Sequence, residues 1–166
     1  MASGIRHFIE QLGPGDHVGC LYRDRTDLEE LVAQFVRFGI DRSEKVLCVG
    51  DPRAPGAVVR YLQAAGVDVT SLVVSGQLSM VPLSTFLSET GRLNPERLAD
   101  LLVVETKHTR REGLAALRVT VDMTWMLEQD DVFEDLLACE ERLDEIAGQC
   151  GCIVLCQYAQ HSYDEL

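Results

Sequence analysis

The chain has 166 residues, with 27 Asp and Glu against 15 Lys and Arg and a formal net charge of −12. That length suits one domain spanning 1–166 with a continuous core, and a composition 46% hydrophobic and 25% charged excludes disordered and collagen-like classes. A field of this sign repels phosphate backbones, so direct nucleic-acid binding is not expected.

The N-terminus, MASGIRHFIEQLGPGDH, has no apolar core of signal-peptide length. No stretch approaches the roughly 18 apolar residues of a membrane span, and a cytoplasmic protein is expected. The abrupt end at Tyr163-Asp-Glu-Leu fits a chain cut from a longer protein. Six cysteines without an export signal read as reduced thiols, most of them small hydrophobes in apolar runs.

The first candidate strand is HVGCLY (17 to 22). Leu28, Leu31, Val32, Phe35 and Val36 then follow the spacing of one helical face. Thr26 with Glu29 forms a capping-box pattern at its start, and Gly39 marks its end. A strand KVLCVG (45 to 50) leads to a second helix from Pro55 to Ala65, stopped at Gly66. The segment 66 to 91 holds a strand, LSMVPL (78 to 83), and one short helical turn. Asn94-Pro95 opens a third helix running towards Arg111. Strand ALRVTVDM (116 to 123), a helix from Asp131 to Ala147 and strand CIVLCQY (152 to 158) complete the pattern.

Short continuous apolar strands alternating with helices predict an α/β three-layer sandwich around a mainly parallel sheet of about five strands. The first strand-turn-helix lies where a nucleotide-binding protein keeps its phosphate loop. That loop needs glycines, a Lys and a Ser or Thr for magnesium. RDRTDLEE instead supplies bulky side chains and two aspartates. The layout is therefore RecA-like without a functional P-loop, and Asp122 ends its strand where such ATPases hold magnesium. No nucleophile has a sequence-evident base, so a non-catalytic protein with no cofactor is expected.

Several stretches in order resemble the MEDS domain, the sensory domain of methanogen and methylotroph regulators such as the dichloromethane-response regulator. They are GDHVGCLY, GIDRSEKVLCVGD, AAGVDV with SGQL, LRVTVDMTW, CEERLDEI and LCQY. The resemblance implies a bacterial sensory module that recognises simple hydrocarbon derivatives. It also implies an output partner: a histidine kinase, an anti-sigma-factor-like kinase or a transcription regulator. A homodimer is compatible with it.

The candidate ligand-binding residues sit near strand ends, where open α/β sheets bind their ligands. Asp122 and Trp125 could hold a small, partly apolar molecule. Tyr22 and Arg23 end the first strand and would overlook the same crevice, while Tyr158 could lend a hydroxyl from the last. His17 and Cys156 are second choices. His17 and Cys20, three apart on a strand, point to opposite faces and cannot share an ion without a bulge. No CxxC or histidine pair completes a tetrahedral set, so no metal site is expected. A pure interaction module and a metal or thiol-redox sensor, the latter through Cys150 and Cys152, are the rival readings. Glu140 and Arg142 read as a solvated helix face.

Overall fold

The computed structural model describes residues 2–51, 56–129 and 132–163. Five strands form one all-parallel sheet: β1 (His17–Tyr22), β2 (Lys45–Gly50), β3 (Leu78–Pro82), β4 (Leu117–Asp122) and β5 (Ile153–Ala159), in the order β1-β5-β4-β2-β3. The three inner strands are buried almost end to end, which is why they read as unbroken apolar runs. The edge strands β1 and β3 alternate between covered and exposed residues.

Helices α1 (Ala2–Gln11), α2 (Arg25–Asp41), α3 (Ala57–Ala64) and α4 (Val69–Val74) cover one face. The 3-10 turn Leu83–Phe86, α5 (Pro95–Arg111) and α7 (Phe133–Cys150) cover the other. Short helices α6 (Thr124–Leu127) and α8 (Gln160–Tyr163) follow β4 and β5. Connections running from β1 towards β3 cross the first face and those returning towards β5 cross the second, as constant crossover handedness demands.

Most boundaries match the sequence reading, including Asn94, whose side chain accepts from the N–H groups of Glu96 and Arg97. The start of α2 does not. Asp24, not Thr26, is the N-cap, accepting from the Asp27 N–H at 3.0 Å. Gly39 does not end that helix either; it lies buried inside it because a Cβ there would stand 2.8 Å from Val46 Cγ2 and 2.9 Å from Arg118 Cδ. The predicted helix starts at Pro55 and Asp131 lie outside the described residues.

Among the described residues no helix is long and apolar enough to cross a membrane. Among the described residues the largest fully buried side chain is Arg118 of β4, with Nε 2.5 Å from Glu44 Oε2 and its guanidinium 4.7 Å from the Phe35 ring centroid.

Candidate functional site

The tips of β1, β2 and β4 open onto a crevice of about 600 Å³, a volume usual for small-molecule sites. It lies where the connections diverge. β2 continues over one face and β4 over the other, so neither crossover covers the gap between their tips.

Part of its lining is apolar, from Leu28 and Val32 of α2, Cys48 of β2, Val58 of α3 and Met80 of β3. Part is polar, from Tyr22, Thr120, Asp122, Thr124 and Gln157, with Thr120 beside Cys48 in the β2–β4 register. These polar groups hold one another. The Tyr22 hydroxyl lies 2.7 Å from Thr124 Oγ1, which accepts from the Ala159 N–H at 3.0 Å, and Asp122 Oδ1 accepts from the Thr124 N–H at 3.1 Å. One threonine hydroxyl thereby ties the ends of β1 and β5 to the turn after β4. The Gln157 amide donates to Thr120 Oγ1 and, at 3.2 Å, to the Leu155 carbonyl. Burial pushes the Tyr22 phenol up to about 12, outweighing the Thr124 hydrogen bond that lowers it, so it is neutral at physiological pH. Burial also pushes the Cys48 thiol up to about 12, which makes it a packing group and no nucleophile.

Among the described residues, Asp51, Asp122, Glu128 and Arg25 line the crevice, and Arg25 Nε lies 2.7 Å from Glu29. At the start of α2, Asp24 occupies the cap and Arg23 pairs with Asp27 at 2.8 Å. A triphosphate there would meet two carboxylates and no glycine cradle.

The sequence matches the family described as "MEDS: MEthanogen/methylotroph, DcmR Sensory domain" over residues 16–165. The chain belongs to this family. Comparison with curated proteins finds no match. By the family's description, the MEDS domain has a sensory role.

The MEDS fold sends the sequence-predicted residues to different places. Tyr22 and Asp122 line the crevice together. Arg23 is not in its lining and is spent on Asp27. Trp125 packs against the core beneath α5 and α7 and borders a separate recess of about 210 Å³. His17, Cys156 and Tyr158 meet on the opposite side of the sheet. His17 Nε2 lies 3.5 Å from Cys156 Sγ and 3.3 Å from Glu140 Oε2, and Tyr158 donates its hydroxyl to Glu140 Oε1. Glu140 is therefore no part of a purely solvated face. Arg142 is, bridging Glu96 and Glu145. Burial, reinforced by Glu140, holds the Cys156 thiol well above the usual thiol range. Cys150 and Cys152 are both free thiols.

Thr120, Thr124 and Gln157 went unread as crevice residues. The signal for Gln157 and Thr120 was present, since each is a polar side chain inside a strand buried on both faces and needs a partner there.

Proposed function

We propose that this MEDS domain senses a small, uncharged and partly apolar molecule in the crevice at the strand tips and passes its occupancy to an output partner. The crevice itself carries the reading: apolar lining able to take a hydrocarbon body stands together with Tyr22, Asp122 and Thr124, which are able to orient a polar end. Ligand contact with Tyr22 or Thr124 pulls on the bond between that threonine and the Ala159 N–H. The signal then reaches α8, which adds His161 to the lining. A histidine kinase, an anti-sigma-factor-like kinase or a transcription regulator is the class of partner that would read such a change.

The test is a thermal-shift screen with small halogenated, hydroxylated and unsubstituted hydrocarbons, because a compound that binds only the folded state raises the melting temperature. A hit should lose its shift in Val58→Trp, which fills the crevice. It should weaken in Asp122→Asn, whose amide oxygen can still accept from the Thr124 N–H. A hit unaffected by Val58→Trp, saturable ATP binding with magnesium, or a screen in which nothing shifts the wild type would sink the proposal. The last outcome would favour a pure interaction module.

A further inference from the structure

From the convergence of His17, Cys156 and Glu140 across β1, β5 and α7, we infer a binding site for a divalent transition cation of the zinc type, separate from the crevice. Among the described residues these three offer a thiol sulfur, an imidazole nitrogen and a carboxylate oxygen all within 4.8 Å of one another. A tetrahedral zinc centre with bonds of about 2.0–2.3 Å sets neighbouring ligand atoms about 3.3–3.5 Å apart. Two of the three observed edges match, 3.5 Å from His17 Nε2 to Cys156 Sγ and 3.3 Å from the same nitrogen to Glu140 Oε2, and the third, between Cys156 and Glu140, lies within 4.8 Å, so ion binding would draw those two together.

Without an ion, Glu140 is the shared acceptor of the cluster, within reach of His17 Nε2, the Tyr158 hydroxyl and the Cys156 thiol. A cation would take a lone pair from His17, Cys156 and Glu140 directly, and its binding would release the Cys156 proton to solvent.

The surroundings are those of a ligand shell. Tyr158 donates to the second oxygen of Glu140, leaving Oε2 turned towards His17. Asp144 Oδ1 lies 3.7 Å from His17 Nδ1, beyond a hydrogen bond but on the side where a carboxylate would orient the ring of a metal-bound histidine. The His17 side chain is only 6% exposed and Glu140 27%, so ions enter past Glu140. A sulfur, nitrogen and oxygen set suits zinc or cobalt and disfavours calcium and magnesium. Three protein ligands leave a fourth position open to water or a small donor. The sequence hid the site because its ligands lie far apart in the chain and no local spacing announces them.

The experiment titrates chelator-treated, reduced protein with Co²⁺ and then competes with Zn²⁺. One Co²⁺ per chain is expected, with a thiolate-to-cobalt charge-transfer band that Zn²⁺ abolishes. Cys156→Ser removes the band, whereas Cys20→Ser, whose residue faces the other side of the sheet, keeps it. Tyr158→Phe and Asp144→Asn act as positioning variants that keep the band and weaken binding about 10- to 100-fold. Should Cys156→Ser fail to fold, Glu140→Gln serves, with at least tenfold weaker binding expected. Absence of stoichiometric binding, a band that survives Cys156→Ser or depends on Cys20, or unchanged affinity in Glu140→Gln would overturn the site. None of these outcomes bears on the crevice, so the two proposals fail separately.

Discussion

Replacing Glu44 by Gln should destabilise the domain severely, through a residue that touches neither recess. Arg118 is 0% exposed, and its Nη1 and Nη2 have no hydrogen-bond partner among the described residues. Its buried charge is balanced by one carboxylate oxygen at 2.5 Å and by the face of Phe35. Removing one partner of a buried ion pair costs about 3–5 kcal/mol, because the other charge is left uncompensated. The ring face contributes about 2 kcal/mol or more in this desolvated setting, but it is present in both proteins and so does not offset the loss. Domains of this size are stable by about 5–15 kcal/mol, so about a fifth or more would disappear. With a urea m-value of about 1–3 kcal/mol/M, the denaturation midpoint should fall by about 2 M at constant slope. The double variant Glu44→Leu, Arg118→Met removes both charges and should recover most of the loss. A Glu44→Gln midpoint within about 0.5 M of wild type, on the same m-value scale, would show that Glu44 does not compensate the guanidinium. Because Arg118 shares its face of β4 with Thr120 and Asp122, this pair also holds the strand that carries two of the crevice's polar side chains.

Other outcomes can be checked with the same apparatus. Gly39→Ala gains about 0.5–1 kcal/mol in helix propensity but forces a Cβ against Val46 and Arg118, an overpacking of about 1–3 kcal/mol, so urea melts should show a net loss. Tyr22→Phe removes the hydroxyl paired with Thr124 and should cost about 1 kcal/mol. The Tyr22 phenol is raised in the fold from 10.0 to about 12, so the folded state holds its proton longer than the unfolded one. Its contribution is complete below pH 10 and fades as pH rises towards 12; alkaline melts of wild type should fall more steeply than those of Tyr22→Phe. Asn94→Ala breaks the cap of α5 for about 1 kcal/mol and should leave both ligand and cobalt responses unchanged, as calorimetry and absorption can report. Titration with an aromatic disulfide reagent should find Cys20 and Cys150 reacting first, and Cys48, Cys139, Cys152 and Cys156 only on unfolding.

How much was legible follows from the range of the forces involved. The three inner strands were readable because burial on both faces demands unbroken apolar runs, and α5 because Asn94 and Pro95 act within one turn. Helix α1 was missed, although Ile5, Ile9 and Leu12 pack on the core at helical spacing, because its short stripe lies among polar residues. With six residues, α4 is too short for periodicity to register. Gly39 was misread since a stop signal and a close-packing glycine look alike until the opposing Val46 and Arg118 are known. At the site, Tyr22 and Asp122 could be found because strand tips are marked by where apolar runs end. The company kept by His17 could not, since it depends on the register His17↔Val154 and on which helix lies above it.

Strand β5 stands between the two recesses. Its pleat turns Gln157 into the crevice and its neighbours Cys156 and Tyr158 to the opposite side. Adjacent residues of one strand share its backbone, so a ligand that reset β5 from one recess would reset it for the other. An occupant of either recess that favours one setting of β5 would then change the affinity of the other by the same factor in both directions.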